Sequence, residues 1–327
     1  MKAIVRQQYG GPEQLLVQTV ADPEPAAGEV LVRVRAFGLN RAEQYFRQGL
    51  WGEVAAISGI ECVGTVEADP SGRLDRGQTV FALMGGMGRT RPGSYAERVC
   101  VPASNVVAVR SRLDWARLAC LPETYATAWS CLHDNLTIQP GDHVLVRGAG
   151  SALGQAAIEL AARAGAVVLA QVRRPQSATL AGQLGASAVA ADDAALDALL
   201  AQVAPRGLDA VLDLVGTSTI LDSLRRMRRG GRACLAGFLG GGAPLAQFDP
   251  LRDLPSGRQL SFFASAFVYG TAEYPLSDIP FQSLVDQAER GELRVQPARV
   301  FDFGDIQAAH RLLDAEDASG KIVVRLD

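Results

Sequence analysis

The stretch from His143 to Arg174 constrains the fold of this chain more than any other. It reads as an apolar strand, His143 to Arg147, followed by Gly148-Ala149-Gly150-Ser151-Ala152-Leu153-Gly154 and a helical run to Ala164. Gly165-Ala166 turns the chain into a second strand, Val167 to Val172, which ends at Arg173-Arg174. Strand, glycine-rich turn, helix, tight turn and strand make a βαβ unit. Small residues at Gly148, Gly150, Ser151 and Ala152 let backbone N–H groups approach a pyrophosphate, and Leu153 continues the same first turn. The positive end of the helix dipole favours that anion, and Gly154 lets the helix lie close to the strand. The glycine pattern is not a strict GxGxxG, since Ser151 stands where glycine is usual. Its meaning comes from the strand before it, the alanine-rich helix after it and the second strand about 20 residues on. The plainer alternative is a βαβ unit that folds and holds no ligand.

The end of the second strand selects the coenzyme. An NAD site would place Asp or Glu there for the ribose 2′-hydroxyl. This chain has Val172, then Arg173 and Arg174. Two permanently charged guanidinium groups suit a 2′-phosphate, so the expected coenzyme is NADPH. A solvated basic loop is the alternative reading of the two arginines.

The chain has 327 residues, long enough for about two domains. A net charge of −3 offers no electrostatic reason to expect a nucleic-acid or membrane partner. The five cysteines are scattered, with no CxxC spacing, as expected of reduced thiols in a cytoplasmic protein. The first residues lack an apolar signal core, and no charge-free apolar run is long enough to span a bilayer.

Residues up to about Cys120 read as mostly β. Val30 to Ala36 alternates as a half-buried strand, and Gly59 to Val66, Gln78 to Ala82 and Tyr95 to Val101 are further strands. Asn40 to Gly49 reads as a short helix with Asn40 as N-cap and Gly49 as stop. Short strands separated by turn signals suggest a barrel-like β domain. From Leu121 helices and strands alternate: helices over Ala178 to Leu184, Ala194 to Val203 and Leu221 to Met227, and strands over Gly185 to Ala190, Leu208 to Val215 and Gly230 to Gly237. This pattern is a doubly wound parallel sheet, in which ligands lie beyond the carboxyl ends of the strands. Val215, Gly216, Phe238 and Leu239 are therefore expected at the coenzyme; a plain glycine turn is an equal alternative for the Phe238 loop. Near Tyr269 the alternation stops. Helices over Ile279 to Glu289 and Ile306 to Leu313, and a closing strand over Gly320 to Leu326, are expected to return to the first domain. The division is then residues 1–120 with 269–327, and residues 121–268.

Taken together, Gly38 to Glu43 with Arg47-Gln48-Gly49, Leu121 to Trp129, the serine-containing glycine turn, Asp213-Leu214-Val215-Gly216 and Gly320 to Val323 resemble the medium-chain dehydrogenase/reductase superfamily. Within it they are most similar to the zinc-independent quinone oxidoreductases. The resemblance covers essentially the full length. It implies an α/β protein: a Rossmann-type doubly wound parallel sheet domain inserted in a mainly β, partly open barrel (GroES-like) catalytic domain. It also implies NADPH-dependent reduction of a quinone or another conjugated enone in a cleft between the domains. Thr127 falls at the family's nicotinamide-facing position, and Asn40 matches a polar residue often near the reacting centre, although helix capping accounts for it equally well. A homodimer is implied through the sheet edge near Leu260 to Val268, an apolar run that would otherwise be an open edge.

Zinc-dependent relatives require a histidine in the segment Gly59-Ile60-Glu61, and here Ile60 occupies it. The loop from Gly85 to Gly93 has no cysteines, and His133, His143 and His310 are isolated in sequence. No metal site is expected. Without a Lewis acid, hydride delivery to a quinone or an enone needs less help than alcohol–ketone chemistry. Many relatives carry a Tyr shortly after Arg47-Gln48-Gly49, whereas this chain has Leu50-Trp51. Indole N–H donates a hydrogen bond but is no useful acid. Tyr45 would serve only if its helix face points into the cleft. Trp51 and Trp129 are candidates for stacking on a flat acceptor, with core packing the plainer role for Trp129. The competing functions are a 2-enoyl or alkenal double-bond reductase, placed in a biosynthetic pathway, and an NADPH-binding protein with little catalysis.

Overall fold

The computed structural model describes residues 1–315 and 318–326. In chain order the strands are β1 Lys2–Arg6, β2 Leu15–Thr19, β3 Glu29–Leu39, β4 Glu61–Ala68, β5 Thr79–Leu83, β6 Arg98–Pro102, β7 Val106–Ala108, β8 His143–Arg147, β9 Val167–Gln171, β10 Ala188–Ala190, β11 Leu208–Asp213, β12 Met227–Leu235, β13 Gln259–Phe262, β14 Arg299–Asp302 and β15 Ile322–Arg325. The chain divides into two compact units, Met1–Ala126 with Ser265–Asp327, and Thr127–Ala264. These bounds lie a few residues from those expected, because the helix Pro122–Ser130 begins in the first unit and the short helix Ser265–Val268 belongs to it as well.

The first unit is built on β3. Val30, Val32 and Val34 are buried and Arg33 is exposed, as alternation predicts, but Leu31 and the run Ala36 to Leu39 are buried too, so both faces of the strand are covered over its carboxyl half. β3 pairs antiparallel with β4 on one edge, and with β6 and then β15 along the other. The sheet runs β14-β15-β3-β4-β5-β7, with β6 against β3, and β1 and β2 form a separate hairpin. Ile4, Val32, Phe37, Val80, Val101 and Val324 are among the side chains of its core. β15 is the last strand of the chain, yet it pairs with the carboxyl half of β3. The helix Arg41–Gln48 follows β3 with Asn40 at its N-cap, and Gly49 stops it in the left-handed region at φ 77°.

The second unit is a parallel six-stranded sheet ordered β10-β9-β8-β11-β12-β13. The order reverses at β8 and β11, the switch point of a doubly wound sheet. Every residue of β11 is buried, as a central parallel strand covered on both faces requires. Leu145, Leu169, Val211 and Leu224 belong to its core.

The expected architecture, a doubly wound sheet domain inserted in a mainly β domain, is the one observed. Local differences are small. The helix expected over Ala178 to Leu184 runs Pro175–Gln183, because Pro175 is preorganised for a first helical turn. The strand expected from Gly185 is only Ala188–Ala190. The apolar run from Leu260 to Val268 is a strand only as far as Phe262; Ser265–Val268 turns as a short helix instead.

Candidate functional site

In the second unit, β8 delivers the chain into the glycine turn, with Gly148 at φ 77°. Ser151 is extended and caps the helix Ala152–Arg163: its Oγ accepts from the Gly154 N–H at 3.1 Å and donates to the Gly148 carbonyl at 2.8 Å. The amides of Ala152 and Leu153 open the helix and have no intrahelical acceptor, so they stand where the dipole favours an anion. A side chain on Gly154 would put its Cβ 2.5 Å from the Gly148 carbonyl oxygen and 2.7 Å from the Ala149 Cα. Only glycine lets the helix lie this close to the turn. These features fit a dinucleotide pyrophosphate.

The loops after β11 and β12 meet this turn. A Cβ on Gly148 would fall 2.8 Å from Leu239 and 3.1 Å from Leu214. The Leu239 N–H donates to the Leu214 carbonyl at 3.0 Å, and the Gly240 N–H to the Val215 carbonyl at 2.7 Å. Gly148, Val215, Gly216 and Leu239 are thus gathered at the carboxyl ends of β8, β11 and β12, while the Phe238 ring lies 6.0 Å from that of Phe262. Asp213 holds the loop in shape. Buried at the end of β11, its carboxylate accepts from the amides of Val215 and Gly216 and from the hydroxyls of Thr219 and Ser223 at 2.7 to 3.1 Å. Arg173 is exposed beyond β9, and half-buried Arg174 is the N-cap of the helix Pro175–Gln183. Thr127, the first residue of this unit, is buried in the helix Pro122–Ser130.

Arg147 ends β8 and carries no other signal in the sequence. It immediately precedes Gly148, is fully buried, and is paired with Asp222, with Asp193 3.6 Å away. Its acidic partners come from two later helices, so only the fold brings them together.

In the first unit, Asn40 sits inside a buried charged cluster. Lys321 Nζ lies 2.5 Å from Glu61 Oε1 and donates to Asn40 Oδ1 at 2.6 Å. Asn40 Nδ2 donates to Glu61 Oε1 at 2.9 Å, and the Glu123 amide to Glu61 Oε2 at 2.8 Å. Glu43 accepts from the Asn40 amide at 2.7 Å and the Ile60 amide at 3.1 Å. Glu43, Glu61 and Lys321 are almost wholly out of water. Burial pushes the Glu43 carboxyl up to about 7, against the pull of the Lys321 ammonium and the two amides. For Lys321, burial opposes the charge, but Glu61, Glu123 and Glu43 outweigh it and hold its pKa above the usual lysine value. Gly38 makes room for this: a Cβ there would stand 2.2 Å from Lys321 Cε.

Beside it is a second buried group. Arg47 donates through Nε to His310 Nδ1 at 3.3 Å and through Nη2 to both oxygens of Asp314 at 2.6 Å. Because Nδ1 accepts, the His310 proton sits on Nε2, which donates to the Tyr95 hydroxyl oxygen at 3.0 Å. Burial and the Arg47 charge depress His310 to about 3. Of the other candidates, Tyr45 is half-buried in the helix Arg41–Gln48, and Trp51 packs against Phe46 and Phe267.

Among the described residues, no three His, Cys, Asp or Glu side chains are grouped so that they could hold a metal ion. The Ile60 position contributes only its backbone amide to the charged cluster. No helix among them is long and apolar enough to cross a membrane.

Two family models match the chain: the alcohol dehydrogenase GroES-like domain over residues 26–111 and the zinc-binding dehydrogenase domain over residues 184–324. The chain is 26% identical to a quinone oxidoreductase of Sus scrofa, over 100% of this chain and 98% of that protein. It is 27% identical to a 2-haloacrylate reductase of a Burkholderia species, over 99% and 98% of the two chains. Two solved structures, each 26% identical with a TM-score of 0.85 and full coverage of both chains, are of an NAD-dependent alcohol dehydrogenase and of a mycobacterial protein in complex with NADPH. With both halves of the fold and both family models in agreement, the chain belongs to the medium-chain dehydrogenase/reductase superfamily and is quinone oxidoreductase-like within it.

Proposed function

We propose that this protein is an NADPH-dependent reductase that transfers hydride to a quinone or another conjugated enone without zinc. The observation that carries the coenzyme half is the sequence after β9, where Val172 is followed by Arg173 and Arg174 in place of an Asp or Glu. The Ala152 and Leu153 amides would hold the pyrophosphate, Gly154 keeps the helix close, and the Val215, Gly216, Phe238 and Leu239 loops would line the dinucleotide. The nicotinamide, when bound, supplies the hydride. One hydride and one solvent proton convert a quinone to its hydroquinone. Such an acceptor delocalises the incoming charge, so no Lewis acid is required. Asn40 is committed to Glu61 and Lys321, which argues for a positioning role and against proton donation by its amide. Trp51, half-exposed, offers a surface rather than an acid. The exposed rims of β13, Leu260 and Phe262, support a homodimer formed through that edge. The free cysteines support a cytoplasmic setting.

The 2-haloacrylate reductase relative favours a second reading, a reductase of activated carbon–carbon double bonds. Steady-state turnover of a 1,4-quinone, an enal and an enoyl thioester with NADPH and with NADH separates the two. Quinone reduction by NADPH is expected, and turnover of the thioester alone would reject it. Replacing Arg173 and Arg174 together by Ala should weaken NADPH binding by about 10- to 100-fold and leave NADH nearly unchanged. Equal weakening of both would remove the phosphate-reading role.

A further inference from the structure

Trp51, Phe267 and Arg89 form a ladder of planar groups on the first unit. Buried Phe46 meets the Trp51 indole edge-on, with centroids 5.6 Å apart. Trp51 lies nearly parallel to Phe267, at 6.1 Å and 19°. The Arg89 guanidinium carbon stands 4.5 Å from the Phe267 centroid, over the ring. The rungs come from three stretches far apart in sequence, yet they are tied together through the backbone. Arg89 Nη2 donates to the Ala266 carbonyl at 2.8 Å, next to Phe267, and the Ala55 amide donates to the Arg89 carbonyl at 2.9 Å.

Two features set this ladder apart from ordinary packing. Trp51 is 37% exposed and Phe267 56% exposed, so much of both rings faces water. Burying large apolar side chains is favourable, and these rings forgo much of that gain. Arg89 has no carboxylate partner among the described residues; its contacts are the Ala266 carbonyl and the Phe267 face. A π surface with a positive charge at one end matches a flat aromatic ligand that carries an anion. Its rings would stack offset on the indole and phenyl, and its charge would meet the planar guanidinium.

We propose that Trp51, Phe267 and Arg89 form the recognition surface for the acceptor, and that the acceptor is a fused-ring quinone bearing an anionic group. This rests on the quinone reduction proposed above. Titration calorimetry of the full-length protein tests it, with saturating NADP+ so that no hydride can move. The probes are 9,10-anthraquinone-2-sulfonate and its uncharged 2-hydroxymethyl counterpart. The wild type should bind the sulfonate about tenfold more tightly than the uncharged ring. Arg89→Gln should erase that preference and leave affinity for the uncharged ring unchanged, while Arg89→Lys retains part of it. Trp51→Leu and Phe267→Leu should each weaken both ligands by about tenfold. Thermal melting checks that the variants fold, and the two Arg89 variants decide the charge claim even if an aromatic variant does not. A wild type blind to the sulfonate, a preference that survives Arg89→Gln, or affinities untouched by Trp51→Leu would each overturn the proposal. If binding depends on Arg89 but NADPH never reduces a quinone, the surface stands and the reaction is wrong. If quinone is reduced but binding ignores Arg89, the reverse holds.

Discussion

Glu61 and Lys321 lie 2.5 Å apart with most of the chain between them, whereas Gly148, Ser151 and Gly154 shape their turn within one short stretch. The first unit assembles its polar centre from β4, the residue just before β15, the segment after β3 and the start of the helix Pro122–Ser130. The second unit builds its glycine turn from neighbours in sequence. One region depends on charges kept out of water, the other on the absence of side chains. Each should therefore break in its own way.

The largest effect belongs to the buried charges. Lys321→Met leaves Glu61 uncompensated in the interior and should destabilise the protein by about 3–5 kcal/mol. The double variant Lys321→Met with Glu61→Gln should recover a large part of that loss, since a broken pair costs far more than an absent one. Urea denaturation of the two variants checks this, and equal losses would mean that the pair is not the unit of stability here. In the glycine turn, Gly154→Val drives a side chain into backbone that cannot yield. A destabilisation of about 1–3 kcal/mol is expected, with loss of measurable NADPH binding in a fluorescence titration. Normal binding by this variant would show that the turn does not hold the dinucleotide. The contrast is that Lys321→Met acts on stability first, and Gly154→Val on binding first.

These differences follow from what a linear sequence can display. The turn was legible because strand, small residues and helix occur in order, and the sheet because alternation and glycine punctuation are local signals. Asn40 was visible as a cap, but its actual partners were not. Its side-chain amide is engaged by Glu61 and Lys321, and its backbone amide by Glu43. Nothing near Asn40 in sequence signals a lysine just before the last strand. Gly38 is the one local clue, since its small size leaves space that Lys321 fills. Arg147 likewise reads as the last residue of a strand until two helices bring Asp193 and Asp222 to it. The mainly β architecture was readable while its charge pairing was not, because burial patterns repeat along a strand and ion pairs do not.

A smaller effect sharpens the picture of the first unit through pH. Glu43 titrates near 7 in the fold against an ordinary 4.5, so the fold holds a proton that the unfolded chain releases. Its contribution is complete below pH 4.5 and is lost as pH rises toward 7. His310 works in the opposite sense. Its folded value of about 3, against 6.5, means that the unfolded chain binds the proton first, so stability falls as pH drops below 6.5. Between pH 4.5 and 6.5 the two slopes oppose each other. Glu43→Gln should therefore make stability rise with pH across that window, by up to about 1.4 kcal/mol per unit relative to the wild type, and His310→Gln should make it fall. Urea midpoints at pH 5, 6 and 7 measure this, and the remaining acids cancel in the difference. Unchanged slopes in both variants would show that neither group is perturbed.

A comparison of two N-caps contains the smallest effect, that of Ser151. Ser151 caps with its own hydroxyl, bonding only within the turn, to the Gly154 amide and the Gly148 carbonyl. Asn40 is an N-cap whose side chain is turned to Lys321 and Glu61. Ser151→Ala should then cost about 1 kcal/mol, the ordinary loss of a cap. Ser151→Gly should cost only a few tenths, because a glycine there exposes the helix amides to water. Asn40→Ala removes an acceptor from a buried ammonium and a donor from a buried carboxylate. It should cost more than Ser151→Ala by about 1–3 kcal/mol. Thermal denaturation of the three variants, with ΔΔG taken at a common temperature, places them in order. If Asn40→Ala and Ser151→Ala cost the same, Asn40 is a helix cap and nothing more, and the charged cluster closes without it.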